Sequence, residues 1–225
     1  MADPYAARAT TPAGEAPAGP PPWLEEVATR GGTLLGSVAE AASAELAEAA
    51  FAAVHCRGSG PLPAFARPTP AQAVVLLLEH GAGGDDDATG ANEALRRISA
   101  APRVYAVKQG WVAGPPGRPG CVEVSASMIA TALDGALSDR VGWERDPDFD
   151  YEVAAAVPGL DGAEAAALCP RILYATNDRV YEHAELVPLL KRERGELAAS
   201  IEGLDPAIPA ATGWPIVPTG ERWRG

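Results

Sequence analysis

The sequence predicts an α/β or α+β domain in which helices surround a small mixed β-sheet. Two kinds of segment alternate along the chain, as they do in such domains. Residues 34–51 carry apolar side chains at three- and four-residue steps, which is typical of an amphipathic helix. Residues 103–107 include a short apolar run typical of a strand. The predicted strands are few and short, so we expect a small sheet.

Local signals place the first helices. The periodic segment 34–51 is the first, and residues 70–79 form the second. Thr69 can cap this second helix, Pro70 suits its first position, and Gln72 stands where a capping box places an amide side chain. Its apolar run predicts that the helix is largely buried.

The second half of the chain continues the alternation. Residues 92–98 predict a short helix, and residues 122–124 predict a short strand that follows a turn rich in glycine and proline. Ser125 or Ser127 then caps a helix through residue 137. The last long helix is predicted over residues 180–201.

Composition divides the chain into three parts. Residues 1–22 contain six prolines, which fix φ and remove backbone donors, so this stretch predicts a disordered arm. Residues 23–205 predict a single domain, and residues 206–225 predict a tail rich in proline and glycine. The length of 225 residues is enough for one domain with a hydrophobic core.

Charge and cysteine content exclude several classes of protein. The formal net charge of −12 repels phosphates, which predicts neither a nucleic-acid nor a membrane partner. No segment approaches the roughly 18 consecutive apolar residues of a membrane span, and the N-terminus does not resemble a secretory signal. Cys56, Cys121 and Cys169 are scattered, which argues against a disulfide framework or a structural zinc site. We therefore expect a cytoplasmic protein, with a composition typical of a GC-rich bacterial genome.

Four segments, in order, carry a resemblance to a known family. Residues 60–72, GPLPAFARPTPAQ, match the pattern G-x-L-P-P-x-x-R-L-T-x-x-Q, and residues 104–115, VYAVKQGWVAGP, match a strand with an N-T-G-W-x-G-G-P turn. Residues 127–137 stand in place of an R-A-I-I-D-A-I helix, and residues 143–161 end in VPGLD where the pattern has V-P-G-V-D. These segments resemble the C-terminal part of ATP-dependent phosphoenolpyruvate carboxykinases.

The resemblance implies a truncated form of that family's C-terminal α/β domain. This sequence differs from the family pattern in the residues that carry out the family's chemistry. Family members phosphorylate and decarboxylate oxaloacetate with ATP, magnesium and manganese, using a P-loop that ends in Gly-Lys and a hydroxyl residue. Here neither Lys108 nor Lys191 follows a glycine, and the family's adenine-binding arginine and threonine are replaced near Gly120 and Ala126. The sequence thus predicts no nucleotide site, no metal site, no cofactor and no competent ATP-dependent carboxykinase.

One functional residue of the family carries over. Arg67 occupies the arginine of the R-L-T motif, which contacts the transferred phosphate in the family, and a guanidinium is a fixed fork for anions. We predict that Arg67 binds substrate and that Tyr105 and Trp111 line a pocket with it. The alternatives are a surface arginine without a ligand and ordinary aromatic packing. No catalytic residue is predicted, since the adjacent His55 and Cys56 would point to opposite faces of a strand.

The sequence leaves three functions open. The favoured one is a repurposed carboxykinase-like enzyme, a cyclase, isomerase or lyase acting on a small organic metabolite in bacterial specialised metabolism, without a cofactor. Positioning a substrate and excluding water suffice for such reactions. The alternatives are a non-catalytic binding or regulatory subunit and residual phosphoenolpyruvate carboxykinase activity. The predicted partner is a small-molecule ligand, and a homo-oligomer or protein partner stays open.

Overall fold

The computed structural model describes residues 20–57, 60–80 and 87–215. Most of the predicted arm, the greater part of the predicted loop after the second helix, and the end of the predicted tail lie outside these residues. The division into arm, domain and tail therefore stays a prediction.

Helices and strands alternate along the described chain. In order they are α1 (Leu24–Thr29), β1 (Gly32–Leu35), α2 (Val38–Ser43), β2 (Phe51–Cys56), β3 (Phe65–Arg67), α3 (Pro70–His80), α4 (Ala88–Ile98), β4 (Val104–Lys108), β5 (Trp111–Val112), β6 (Val122–Glu123), α5 (Ala126–Leu137), β7 (Gly142–Arg145), β8 (Glu152–Ala156), α6 (Gly162–Leu168), α7 (Pro170–Thr176), α8 (Val180–Ser200) and α9 (Ala207–Ala210). The predicted α/β class is confirmed.

A six-stranded mixed sheet organises the domain, in the order β1-β2-β4-β3-β8-β7. Strands β1, β2 and β4 are parallel, whereas β3, β8 and β7 join through antiparallel pairs. Strands β5 and β6 form a separate antiparallel hairpin. The mixed sheet was predicted, but it holds more strands than the few that the sequence indicated.

The predicted helix over residues 34–51 is wrong over most of its length. Leu34 and Leu35 belong to strand β1, and helix α2 begins only after Ser37, whose side chain accepts a hydrogen bond from the Glu40 amide. At the other end of the segment, Phe51 begins β2. Alanines occur throughout this segment, and their three- and four-residue spacing imitates a helical face although the backbone changes direction twice.

The sheet separates two hydrophobic layers. One layer contains side chains from α2, α3, α4, α8 and α9, and the other contains side chains from α1, α5, α6 and α7. Trp23 is fully buried in the second layer, where its indole N–H donates a hydrogen bond to the Lys108 carbonyl over 3.0 Å. Ordered packing therefore reaches back at least to Trp23.

None of the helices within residues 20–57, 60–80 and 87–215 combines the length and apolar character that crossing a bilayer demands. In the same residues, no group of three histidine, cysteine, aspartate or glutamate side chains is placed to hold a metal ion.

Candidate functional site

Arg67, which the sequence predicts to bind substrate, lies at the end of β3 and is held by the neighbouring strand. Its Nε donates to Glu152 Oε2 on β8 over 2.5 Å, and its guanidinium lies 4.7 Å from the centre of the Trp143 ring. Ion pairing to Glu152 raises the pKa of Arg67. The arginine is thus ordered by a carboxylate and an indole, and a phosphate would approach it against the negative charge of Glu152.

Tyr105 lies beside Arg67. Ala66 pairs with Ala106 in the antiparallel ladder, so Arg67 and Tyr105 are opposite each other one step further along. The Tyr105 ring is 1% exposed and stacks with Phe65 and with Trp143 at centroid distances of 5.0 and 6.2 Å. Such burial places Tyr105 in the core beneath Arg67, with little surface for a ligand.

Trp111 is separated from these two residues. It begins β5, in the hairpin where it pairs with Glu123, while Tyr105 lies near the amino end of β4. The structure therefore brings Arg67 and Tyr105 together and leaves Trp111 at the opposite end of β4.

A buried lysine lies at the carboxyl end of β4. Lys108 is 1% exposed and pairs in the ladder with Cys56, and its Nζ donates to the carbonyls of Gly60 and Leu62 over 2.8 and 3.2 Å. Burial lowers the pKa of Lys108 to about 7, and burial likewise raises the pKa of Cys56 to about 12. The lysine ties the segment that follows β2 to the sheet.

An ionic network lies deeper in the same layer. Arg194 of α8 is 3% exposed, and it donates to Glu79 Oε2 on α3 over 2.8 Å and to the Tyr151 hydroxyl over 2.7 Å. Burial alone would raise the pKa of Glu79, but Arg194 and His80 bring it to about 2. This pair joins the last long helix to the core of the domain.

His55 and Gln109 form a second buried polar pair at this end of the sheet. Their side chains meet over 2.8 Å between His55 Nε2 and Gln109 Oε1. Burial, with the nearby Arg57, lowers the pKa of His55 to about 4. The imidazole is therefore neutral at physiological pH, and the adjacent Cys56 belongs to the other hydrophobic layer, as the strand alternation predicted.

An open cleft of about 550 Å³ lies between the turn that precedes β6 and helices α6 and α7. We call it the α6–α7 cleft. It is lined by Gly120, Cys121, Val122, Ala155, Gly162, Ala163, Ala165, Ala166, Ile172, Leu173, Thr176 and Asn177. Trp111 is not a lining residue, although its hairpin contributes Val122.

Arg179 fixes one wall of the α6–α7 cleft. Its Nη2 donates to the Ala113 carbonyl over 2.6 Å and its Nη1 to the Pro119 carbonyl over 3.3 Å, so one side chain holds both ends of the glycine- and proline-rich turn. Glu182 orients the guanidinium through Nε over 2.9 Å. The same guanidinium lies 3.8 Å from Cys121 Sγ and stacks on the Tyr174 ring.

Sequence reasoning missed these residues. Lys108 ends an apolar strand, which could have marked it as a buried cation. Nothing local to Arg179 or Arg194 distinguishes them from the exposed arginines of the same helical region, because their partners lie 66 and 115 residues away.

The aspartate run 85–87 offers carboxylate oxygens of the kind that hard cations bind. Asp85 and Asp86 lie outside the described residues, and Asp87 caps α4 by accepting a hydrogen bond from the Gly90 amide over 2.7 Å.

Comparison with known proteins confirms the family resemblance over part of the chain. The chain is 34% identical over 102 residues to the ATP-dependent phosphoenolpyruvate carboxykinase of Thermus thermophilus, which covers 44% of this chain and 18% of that protein. It is 32% identical over 109 residues to the same enzyme of Parvibaculum lavamentivorans, and this match covers 48% of this chain and 19% of that protein. The chain thus spans about a fifth of the length of these curated relatives. No family model matches it.

Proposed function

We propose that this carboxykinase-like chain binds a small organic metabolite in the α6–α7 cleft and does not carry out ATP-dependent phosphoryl transfer. The observation that carries the proposal is the make-up of the cleft. Alanine, valine, leucine and isoleucine side chains form most of its walls, and Cys121, Thr176 and Asn177 supply a few polar atoms. Small-molecule sites have this composition.

The surroundings of Arg67 support the proposal that the chain does not carry out ATP-dependent phosphoryl transfer. Phosphoryl transfer needs positive groups that are free to take up the charge of the transferred phosphate. Here the guanidinium already neutralises Glu152, and Trp143 covers one of its faces. A di- or trianionic phosphate would have to compete with Glu152 for the same guanidinium and would be repelled by its carboxylate.

The proposed class of reaction is supported by what the cleft holds. Its walls can position a ligand and displace water, and the Cys121 thiol can exchange a proton or form a bond. These means fit cyclisation, isomerisation or elimination of an organic substrate without a cofactor. The three cysteines are free thiols, which supports a place in the reducing cytoplasm.

Amide NMR of the purified full chain, titrated with cyclohexanone, tests the cleft. The ketone is compact enough for a 550 Å³ cleft, and we expect saturable shifts at cleft amides such as Val122 and Ile172. A Kd of about 1 mM is expected, which corresponds to about 4 kcal/mol.

Two matched variants make the titration specific. Ala163 and Ala199 are both exposed helical alanines, and Ala163 lines the cleft. Ala163→Phe should abolish the shifts, whereas Ala199→Phe should leave them unchanged. Shifts that do not saturate, or that survive Ala163→Phe, would remove the basis of the proposal.

The carboxykinase alternative is tested by calorimetric titration with Mg-ATP, oxaloacetate and phosphoenolpyruvate. We expect no saturable heat from any of the three. Stoichiometric binding of Mg-ATP would restore the kinase interpretation, and its loss in Arg67→Ala would locate the site.

A non-catalytic subunit is the second candidate, favoured by one surface feature. Ile172, Val180 and Tyr181, on α7 and at the start of α8, are 48%, 55% and 88% exposed. Exposed apolar side chains of this size favour a protein partner or self-association. The molar mass in solution, measured by light scattering, distinguishes a monomer from an oligomer.

A further inference from the structure

We infer that the α6–α7 cleft selects ligands that donate a hydrogen bond, of which an alcohol is the simplest, and that Asn177 Oδ1 is their acceptor. This inference rests on the proposed function, because it assigns a ligand chemistry to the same cleft. Cys121, Thr176 and Asn177 are the polar side chains of the lining. The hydrogen bonds that each of them already makes decide which of their atoms remain for a ligand.

Asn177 keeps its carbonyl oxygen for a ligand. This residue directly follows α7, and its Nδ2 donates to the Leu173 carbonyl over 2.7 Å. A backbone carbonyl has no proton to give, so the atom of Asn177 that faces Leu173 has to be the amide nitrogen. Oδ1 therefore lies on the other side of the amide group, and no residue within the described ranges donates to it.

The Asn177 oxygen lies at the cleft wall. At Gly120, which also lines the cleft, an added Cβ would lie 2.5 Å from Asn177 Oδ1. The oxygen thus faces another residue of the lining. It is also accessible, because the described polar side-chain atoms that are both buried and without a partner do not include it. A ligand in the cleft can therefore reach this acceptor.

Thr176 and Cys121 have no donor left for a ligand. Thr176 Oγ1 donates to the Ile172 carbonyl over 2.8 Å, which leaves only its lone pairs for a ligand. The Cys121 thiol donates to the Ala113 carbonyl over 3.1 Å, and its sulfur lies 3.8 Å from Arg179 Nη1, so it is occupied on both sides. The polar side chains of the cleft are thus available to accept a hydrogen bond, and their donors are already used.

This distribution of donors and acceptors favours an alcohol over a ketone. An alcohol donates to Asn177 Oδ1 without disturbing any existing hydrogen bond. A ketone only accepts, so it gains a bond from Asn177 or Thr176 only if that side chain gives up its bond to α7. One additional hydrogen bond between neutral groups corresponds to about fivefold in affinity.

The first amides of α6 are the donors that a ketone would otherwise use. Gly162 and Ala163 begin this helix and line the cleft, and amides at the start of a helix have no acceptor within it. Both residues are exposed, so water satisfies their amides without a ligand, whereas Asn177 is half-buried. Because a hydrogen bond is stronger where water is less accessible, the bond to Asn177 should contribute more to affinity.

Amide NMR titrations of the full chain with cyclohexanol and with cyclohexanone, which share the same carbon ring, test the inference. Wild type should bind cyclohexanol at least about fivefold more tightly than cyclohexanone. Asn177→Leu removes Oδ1 from the cleft and should reduce the ratio of the two Kd values about fivefold. The change in this ratio reports the hydrogen bond, because the two ligands differ equally in their transfer from water for both proteins.

Two threonine variants form a matched pair for this titration. Thr176→Val removes the second acceptor of the cleft and should reduce the ratio by a smaller factor, about twofold. Thr131 on α5 makes the same kind of bond, to the Ser127 carbonyl four residues earlier over 2.9 Å, but it does not line the cleft. Thr131→Val should therefore leave the ratio unchanged. An amide spectrum shows whether each variant keeps the fold, and Thr176→Val decides the question if Asn177→Leu does not fold.

The outcomes separate this inference from the proposed function. If wild type binds cyclohexanone as tightly as cyclohexanol, or if the ratio is the same in wild type, Asn177→Leu and Thr176→Val, the inference is overturned and the cleft remains a binding site. If neither ligand gives saturable shifts, both the inference and the proposed function fail.

Discussion

Arg194 and Glu79 form an ion pair in the interior of the domain, with 2.7 Å between Arg194 Nη2 and Glu79 Oε2. The pair links α8 to α3, and the Tyr151 hydroxyl accepts a further hydrogen bond from the same guanidinium. Two charges withdrawn from water are stable only while each compensates the other. The attachment of α8 therefore depends on this ion pair as well as on the apolar side chains that α8 contributes to its hydrophobic layer.

Removal of that arginine should destabilise the domain strongly. Arg194→Ala leaves the Glu79 carboxylate without its buried counter-charge, and we expect the free energy of unfolding to fall by about 3–5 kcal/mol in urea denaturation. The control Arg192→Ala, on the exposed side of the same helix, should change it by less than about 0.5 kcal/mol. An equal loss of unfolding free energy in Arg194→Ala and Arg192→Ala would contradict a particular contribution of the buried ion pair.

Lys108 should make stability rise at alkaline pH. Its pKa is about 7 in the folded chain, below the value of 10.5 expected when unfolded, because burial disfavours the charged amine. Between these values the unfolded chain binds more protons at this lysine, so the contribution of Lys108 to stability increases as the pH rises from about 7 to 10.5. The melting temperature of wild type relative to that of Lys108→Met should therefore rise over this range. An identical profile in both proteins would contradict the buried titration.

His55 should produce a second dependence on pH, at the acid side. Its pKa of about 4 in the folded chain lies below the ordinary 6.5, because burial disfavours the imidazolium. The unfolded chain binds more protons between these values, so the stabilising contribution is complete above about 6.5 and is lost as the pH falls to 4. The free energy of unfolding, measured by denaturation between pH 4 and 7, should change less steeply with pH in His55→Asn than in wild type. An equally steep change in both proteins would refute the lowered pKa of His55.

Arg67 should matter little for ligand binding in the cleft. The Arg67 and Glu152 side chains are 39% and 47% exposed, and pairs with that exposure contribute about 1 kcal/mol or less. Arg67→Ala should therefore lower the free energy of unfolding by about that amount and leave the cyclohexanone titration unchanged. Loss of cyclohexanone binding would place Arg67 in the functional site after all.

The sequence predicted those parts of the fold that depend on neighbours in the chain. Thr69 and Gln72 form the predicted capping box, with the Thr69 amide donating to Gln72 Oε1 over 2.8 Å and the Gln72 amide donating to Thr69 Oγ1 over 3.3 Å. Ser125 caps α5 by accepting from the Met128 amide over 3.1 Å. Local hydrogen bonds of this kind are encoded within a few residues, so pattern reasoning finds them.

The α6–α7 cleft could not be predicted in this way. Its walls come from α6, α7, β8 and the turn before β6, and Arg179 holds that turn from a position 66 residues further along the chain. The family resemblance directed attention to Arg67 instead, whose guanidinium pairs with Glu152 in the structure. Sequence spacing carries no signal for a cleft that only the packing of separate elements creates.

The location of a bound ligand tests the central claim most directly. A crystal structure of the full chain soaked with cyclohexanone should show the ketone between α6 and α7, against Val122 and Ile172. Ligand beside Arg67 and Trp143, or an empty α6–α7 cleft at saturating cyclohexanone, would contradict it.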